Sequence, residues 1–77
     1  MEFEELKKII AGVLNVDPRE ITEETTFAQD LDADSLDEYQ IIMEVEDRFG
    51  IEVPVESIEN IKTVGEALEI IRNIRGV

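Results

Sequence analysis

Residues 34–49 read DSLDEYQIIMEVEDRF, and this stretch decides the fold because its helical pattern is the most informative in the chain. At about 100° per residue, one face of a helix over residues 35–49 is apolar and carries Ile41, Ile42, Val45 and Phe49. A face of this width is typical of a helix that packs on a core. Gly50 follows, as expected just past a helix end.

A second, narrower apolar face of the same helix carries Leu36, Tyr39 and Met43. These side chains either pack beneath the loop that precedes the helix or form an exposed docking patch. The charges favour the docking patch, because the stretch between Arg19 and Arg48 holds eleven acidic residues and no basic one. A small apolar centre with an acidic rim suits a basic protein partner.

The remaining sequence predicts further helices on either side of this one. Apolar spacing predicts helix one over about residues 3–14, and residues 17–20 predict one isolated helical turn. Between that turn and residue 34 the chain shows no sustained periodicity, and Phe27 and Leu31 are expected to pin this long loop to the core.

The C-terminal part predicts a short helix over about residues 56–61, which buries Ile58 and Ile61. Thr63 and Glu66 have the spacing of a capping box, and the helix that they open shares one apolar face: Val64, Ala67, Leu68, Ile71 and Ile74. The predicted fold is therefore all-α: a small antiparallel four-helix bundle of three main helices and one short helix, with a long loop between helices one and two. We expect a single domain over residues 1–77.

Composition excludes several classes of function. The 77 residues include 20 acidic and 7 basic ones, for a net charge of −13, which excludes ordinary nucleic-acid binding and argues against stable membrane association. The chain has no Cys and no His, which excludes thiolate catalysis and histidine general-base chemistry. Since it shows neither an export signal nor an apolar run long enough to span a membrane, we expect a cytoplasmic protein, and we expect a monomer.

The stretch around Ser35 has two structural interpretations, a helix cap and a calcium-binding loop. With Glu38 three residues later, Ser35 matches a capping box, in which the serine only caps the helix. The alternating acids Asp30, Asp32 and Asp34 resemble the opening of a calcium loop, but its sixth and twelfth positions are Ser35 and Ile41 instead of Gly and Glu. We therefore predict no dedicated metal site, although weak divalent binding to the acids stays open.

The residues around Ser35 resemble the acyl carrier protein family. The resemblance rests on Asp34-Ser35-Leu36 followed by an acid, with Leu31 before it and Phe49 closing the helix. It extends to residues 16–21, residues 27–31 and the sequence FGIEVP at 49–54, so it covers essentially the whole chain. Asp32 departs from the pattern because the family often has Gly there; Tyr39, Gln40 and Arg48 are further departures.

The resemblance implies a carrier rather than an enzyme, so no catalytic residue is predicted. In the family, holo-acyl-carrier-protein synthase transfers 4′-phosphopantetheine from coenzyme A to the serine that is Ser35 here, flanked by Asp34 and Leu36. Acyl groups then ride on the arm as thioesters and are presented to fatty-acid synthesis enzymes with basic docking patches. The residues implied in docking are Asp37, Glu38, Tyr39, Met43, Glu44, Glu46 and Asp47. The alternatives to a fatty-acid carrier are a polyketide carrier, an aminoacyl carrier and a non-carrier acidic helical adaptor.

Overall fold

Four α-helices follow one another in the computed structural model, which describes residues 2–76. They are α1 (Glu2–Leu14), α2 (Ser35–Phe49), α3 (Val55–Glu59) and α4 (Val64–Arg75), and a 3-10 turn spans Pro18–Glu20. The predicted all-α bundle is confirmed. The first and last residues of the predicted domain, Met1 and Val77, lie outside the described residues.

Sequence features explain where the helices begin and end. Thr63 caps α4 through the predicted capping box with Glu66, and α2 ends at Gly50, which adopts a left-handed conformation with φ 66°. Asp17 caps the 3-10 turn. Pro18 occupies the first position of that turn, where the backbone needs no amide donor.

The short helix differs slightly from the prediction over residues 56–61. It begins one residue earlier because Pro54 has φ −61° and serves as its N-cap, and it ends at Glu59. The Asn60 side chain donates a hydrogen bond of 2.9 Å back to the Glu56 carbonyl, and the chain then tightens into a turn. Ile61 therefore lies beyond the end of α3 and is buried there, while Ile58 lies within α3 and is half-buried.

The core is aliphatic and lies where α1, α2 and α4 meet. The side chains with almost no exposure are Leu6, Ile10, Ile41, Val45, Val64, Leu68 and Ile71. Ile74 was expected on the same face of α4, but it is 39% exposed because α4 extends past the core at its C-terminal end. None of the helices within residues 2–76 is long and apolar enough to cross a membrane.

The long loop between α1 and α2 is tied to the start of α4 by backbone hydrogen bonds. The amide groups of Val64 and Gly65 donate to the carbonyl oxygens of Thr25 and Glu23, both at 2.9 Å. These bonds satisfy donors that a helix N-terminus leaves without an intrahelical partner. Phe27 is buried and Leu31 packs against the core, as predicted, so the loop holds the segment that leads into α2 in place.

Candidate functional site

The N-terminus of α2 is capped by two aspartates. Asp34 is the N-cap residue, and its carboxylate accepts a hydrogen bond of 2.9 Å from the Asp37 amide. The Asp37 carboxylate accepts a hydrogen bond of 3.3 Å from the Asp34 amide. The predicted capping box of Ser35 with Glu38 is therefore wrong by one position, because the preceding loop places Asp34, in an extended conformation, at the N-cap and leaves Ser35 as the first helical residue. An ionised carboxylate also suits the positive end of the helix dipole.

This capping arrangement leaves the Ser35 side chain without a capping role. Ser35 is the first helical residue and is exposed, and no partner residue in the described part of the chain hydrogen-bonds its hydroxyl. The hydroxyl lies at the edge of an open groove of about 380 Å³ between α2 and α3, lined by Ser35, Glu38, Tyr39, Val55, Ile58 and Glu59. An accessible hydroxyl on a fixed helix start, with open space beside it, fits covalent attachment of a phosphate-linked arm.

The second apolar face of α2 is open to solvent. Leu36 is 79% exposed, Tyr39 49% and Met43 60%, so the interpretation that they pack beneath the loop is wrong. Together with Gln40, Glu44 and Asp47 they line a shallow groove of about 710 Å³. Large exposed side chains grouped in this way are typical of an interaction surface.

The acids predicted to take part in docking fall into different environments. Glu44 and Asp47 are exposed on the rim of the shallow groove. Asp37 is half-buried and engaged in the cap. Glu46 is half-buried as well, and its carboxylate accepts a hydrogen bond of 2.8 Å from the Val53 amide, which fixes the segment after α2.

Glu38 lies on the core side of α2, away from the shallow groove. It lines a small crevice of about 10 Å³ with Phe27, Ile41, Ile42, Ile58 and Ile61. Burial, followed by the nearby negative charge of Asp34, raises the pKa of the Glu38 carboxyl. The sequence held a signal for this position, since Glu38 precedes Ile41, Ile42 and Val45 by three, four and seven residues, the spacing of one helix face.

The acids that resemble a calcium loop are used in other ways. Asp30 accepts hydrogen bonds from the Thr26 amide at 2.8 Å and the Thr26 hydroxyl at 3.1 Å, and Asp34 caps α2. Asp32 adopts a left-handed conformation with φ 54°, which explains why glycine suits this position. Within residues 2–76 no three acidic side chains come together as a metal site.

Comparisons with known proteins agree with this geometry. The family described as "Phosphopantetheine attachment site" matches residues 4–71. The acyl carrier protein of Thermosynechococcus vestitus is 47% identical over 71 residues, which cover 92% of this chain and 88% of that protein. A solved structure from Mycobacterium tuberculosis has a TM-score of 0.90 at 34% identity, covering 95% of this chain and 97% of that one. The acyl carrier protein of Enterococcus faecalis has a TM-score of 0.79 at 32% identity, covering 95% and 92%.

The family match covers most of the chain, and the match in fold extends over 95% of it. The cofactor that this match implies is a covalently attached 4′-phosphopantetheine, which fits the exposed serine and the open groove beside it. The chain belongs to the acyl carrier protein family, and its role is that of a carrier in fatty-acid synthesis and not of an enzyme.

Proposed function

We propose that Ser35 is the attachment point of the 4′-phosphopantetheine arm, in one carrier domain that spans the chain. The observation that carries the proposal is the exposed Ser35 hydroxyl, which Asp34 and Asp37 free from capping. When bound, the arm supplies the thiol that holds acyl groups as thioesters, and this chain has no cysteine that could do so.

The residues around Ser35 position the hydroxyl but do not activate it. The first turn of α2 holds the attachment point rigid, since the reciprocal bonds of Asp34 and Asp37 close the helix end. Both carboxylates are occupied by backbone amides, and the chain has no histidine that could act as a base. Removal of the hydroxyl proton is therefore a task for the loading enzyme, which we propose to be holo-acyl-carrier-protein synthase.

The charges at this helix end also direct the arm. A helix N-terminus attracts a phosphate by about 0.5 kcal/mol, but the carboxylates of Asp34 and Asp37 repel it at the same end. We expect the phosphate to point away from the helix, so that the arm extends into solvent. An extended arm on a fixed root can reach the active sites of several enzymes in turn.

The loading experiment incubates the protein with coenzyme A, magnesium and holo-acyl-carrier-protein synthase, and then measures its intact mass. Wild type should gain the mass of one arm and Ser35→Ala should gain none. Glu69→Gln, an exposed position on α4 away from the attachment region and the exposed face of α2, is the control that should still be loaded. Loading of Ser35→Ala would refute the assignment of this serine.

We further propose that the exposed face of α2 docks basic surfaces of the synthase and of the fatty-acid synthesis enzymes. Leu36, Tyr39 and Met43 form its apolar centre, with Glu44 and Asp47 on the rim. Opposite charges across such an interface accelerate association at low salt. We propose that the protein works as a monomer in the cytoplasm, since a strongly negative surface opposes self-association.

The docking proposal is tested by charge reversal at two exposed positions. Asp47→Lys lies on the proposed face, and Glu69→Lys on α4 changes the net charge by the same amount elsewhere. At low ionic strength, Asp47→Lys should slow arm transfer by about tenfold, within the range over which interface variants change association rates, and Glu69→Lys should change it little. Equal effects of the two variants would show that net charge, and not this face, governs docking.

A further inference from the structure

Tyr39 differs from the other aromatic residues of the chain in how openly its ring is presented. Phe27 is buried in the core, and Phe3 and Phe49 are half-buried at the edge of it. Tyr39 lies in the middle of the exposed face of α2 and is 49% exposed. It is therefore the aromatic side chain that a docking protein can reach most fully.

The two half-buried rings each hold a positive charge that the chain itself supplies. The ammonium nitrogen of Lys7 lies 4.7 Å from the centre of the Phe3 ring, and the same nitrogen lies 3.0 Å from a carboxylate of α1. The guanidinium carbon of Arg75 lies 5.2 Å from the centre of the Phe49 ring, and this guanidinium also pairs with Glu2 at 3.4 Å. In both places one cation contacts a ring face and a carboxylate together, an arrangement in which the two attractions add.

The ring of Tyr39 has carboxylates beside it but no cation from the chain. It lies on the ridge between the two grooves of α2, so that Glu44 and Asp47 line the groove on one side and Glu38 and Glu59 line the groove on the other. The contacts between a cation and a ring within residues 2–76 do not include Tyr39. A positive charge that completes the arrangement at this ring must come from another molecule.

We infer that a cationic side chain of the loading enzyme stacks on the ring of Tyr39 when the enzyme docks. The inference deepens the proposed docking on the exposed face of α2 and rests on it. A guanidinium suits the position, because it can lie flat on the ring while its N–H groups donate to Glu44 or Asp47. Tyr39, which departs from the family pattern, is then a specificity-determining residue: it favours a partner with a cation at this point over one with an apolar side chain there.

The test changes the charge on the ring face and keeps the shape of the ring. Tyr39 is replaced by phenylalanine and by phenylalanine that carries one, two or three fluorine atoms, which draw electrons away from the ring face. The same analogues in place of Phe3 are the matched controls, since that ring lies on α1 and lines neither groove. The measured quantity is the Kd for holo-acyl-carrier-protein synthase at low ionic strength, without coenzyme A, so that no arm is transferred. Circular dichroism confirms that each variant is folded.

Tyr39→Phe should bind about as tightly as wild type, and each added fluorine should raise the Kd. The ring with three fluorines should bind about two- to fivefold more weakly than the ring with none, the range for a cation on an exposed aromatic face. Tyr39→Leu keeps an apolar side chain without a ring face and should lose as much, whereas the Phe3 series should leave the Kd unchanged. Fluorine makes the ring more apolar, so a purely hydrophobic contact predicts no rise in Kd along the series.

Three results would overturn the inference by different routes. A Kd that stays level or falls along the series at position 39, while Asp47→Lys weakens binding, would refute the cation at this ring and leave the docking face standing. A loss of affinity that is already complete in Tyr39→Phe would assign the contact to the hydroxyl instead. An unchanged Kd in Asp47→Lys and in every variant at position 39 would refute docking on this face and, with it, the inference that rests on it.

Discussion

Replacing Ser35 by Ala is expected to leave the free energy of unfolding nearly unchanged, whereas Asp34→Ala is expected to lower it. Ser35 is exposed and takes no part in the capping box. Surface substitutions of this kind stay within about 0.5 kcal/mol, and alanine slightly favours the helix. Ser35→Ala should therefore fall between no change and a gain of about 0.5 kcal/mol.

Asp34→Ala removes the acceptor of the 2.9 Å bond from the Asp37 amide. Loss of an N-cap side chain costs about 1 kcal/mol, and loss of a negative charge at the helix N-terminus adds about 0.3–1 kcal/mol. Relief of repulsion with Asp37 and Glu38 offsets part of this, so the net loss should be about 1 kcal/mol. In a domain of this size that loss lowers the Tm by about 4–8 °C.

The assay is urea denaturation of the unloaded proteins, followed by the helical circular dichroism signal in one buffer of fixed salt. Unloaded protein is needed because an arm on Ser35 would add its own charge near the helix end. A loss of about 1 kcal/mol in Ser35→Ala, the value for a true cap, would refute the reasoning, because the hydroxyl would then be structural. Unchanged stability in Asp34→Ala would refute the aspartate cap.

Three further predictions concern the loop and the crevice. Asp32→Gly should raise the free energy of unfolding by about 0.5–1 kcal/mol, because relief of the strain of the left-handed conformation exceeds the extra freedom of glycine in the unfolded chain. An equal gain in Asp32→Asn would assign the effect to the lost charge instead. Gly65→Ala should lower the free energy of unfolding by about 1–3 kcal/mol, because the added Cβ would lie 2.9 Å from the Glu23 carbonyl oxygen. The control is Gly12→Ala on α1, where a Cβ meets open space, and this variant should not lose stability in the same assay. Glu38→Gln should raise the Tm at neutral pH: the raised pKa of Glu38 makes wild type lose stability as pH rises from the ordinary glutamate value through the raised one. The difference in Tm between Glu38→Gln and wild type should shrink when the pH falls below the ordinary pKa of glutamate. A Tm difference that does not depend on pH would contradict this prediction.

The architecture could be predicted because local signals agreed with one another. The spacing of apolar residues in α2, the glycine after it and the capping box of Thr63 each depend only on nearby residues. The attachment of the loop by Phe27 and Leu31 was predicted for a similar reason, since large apolar side chains in a polar stretch have few alternatives to burial.

The cap of α2 could not be ranked from sequence. Asp34 and Ser35 are adjacent, and both residue types are good N-caps with an acid three positions later. The choice between them depends on where the preceding loop delivers the chain, which long-range hydrogen bonds to the start of α4 determine. A shift of one residue changes the serine from a structural group into an available hydroxyl.

The surroundings of individual charged side chains could not be predicted from the sequence. The family resemblance places Glu38 among the docking acids, although its angle on the helix places it over the core. Arg48, a departure from the family pattern, forms an ion pair with Glu5 of α1. Arg75 lies with its guanidinium carbon 5.2 Å from the centre of the Phe49 ring. Such contacts join residues far apart in sequence, which no local pattern can reveal.

The most direct test of the central claim is the mass of the protein isolated from its own host, followed by fragmentation to locate any modification. The account predicts a protein heavier than its sequence by a phosphopantetheine arm, with or without an acyl group, and places the added mass on Ser35. A protein found unmodified at Ser35, or modified at another residue, would contradict it.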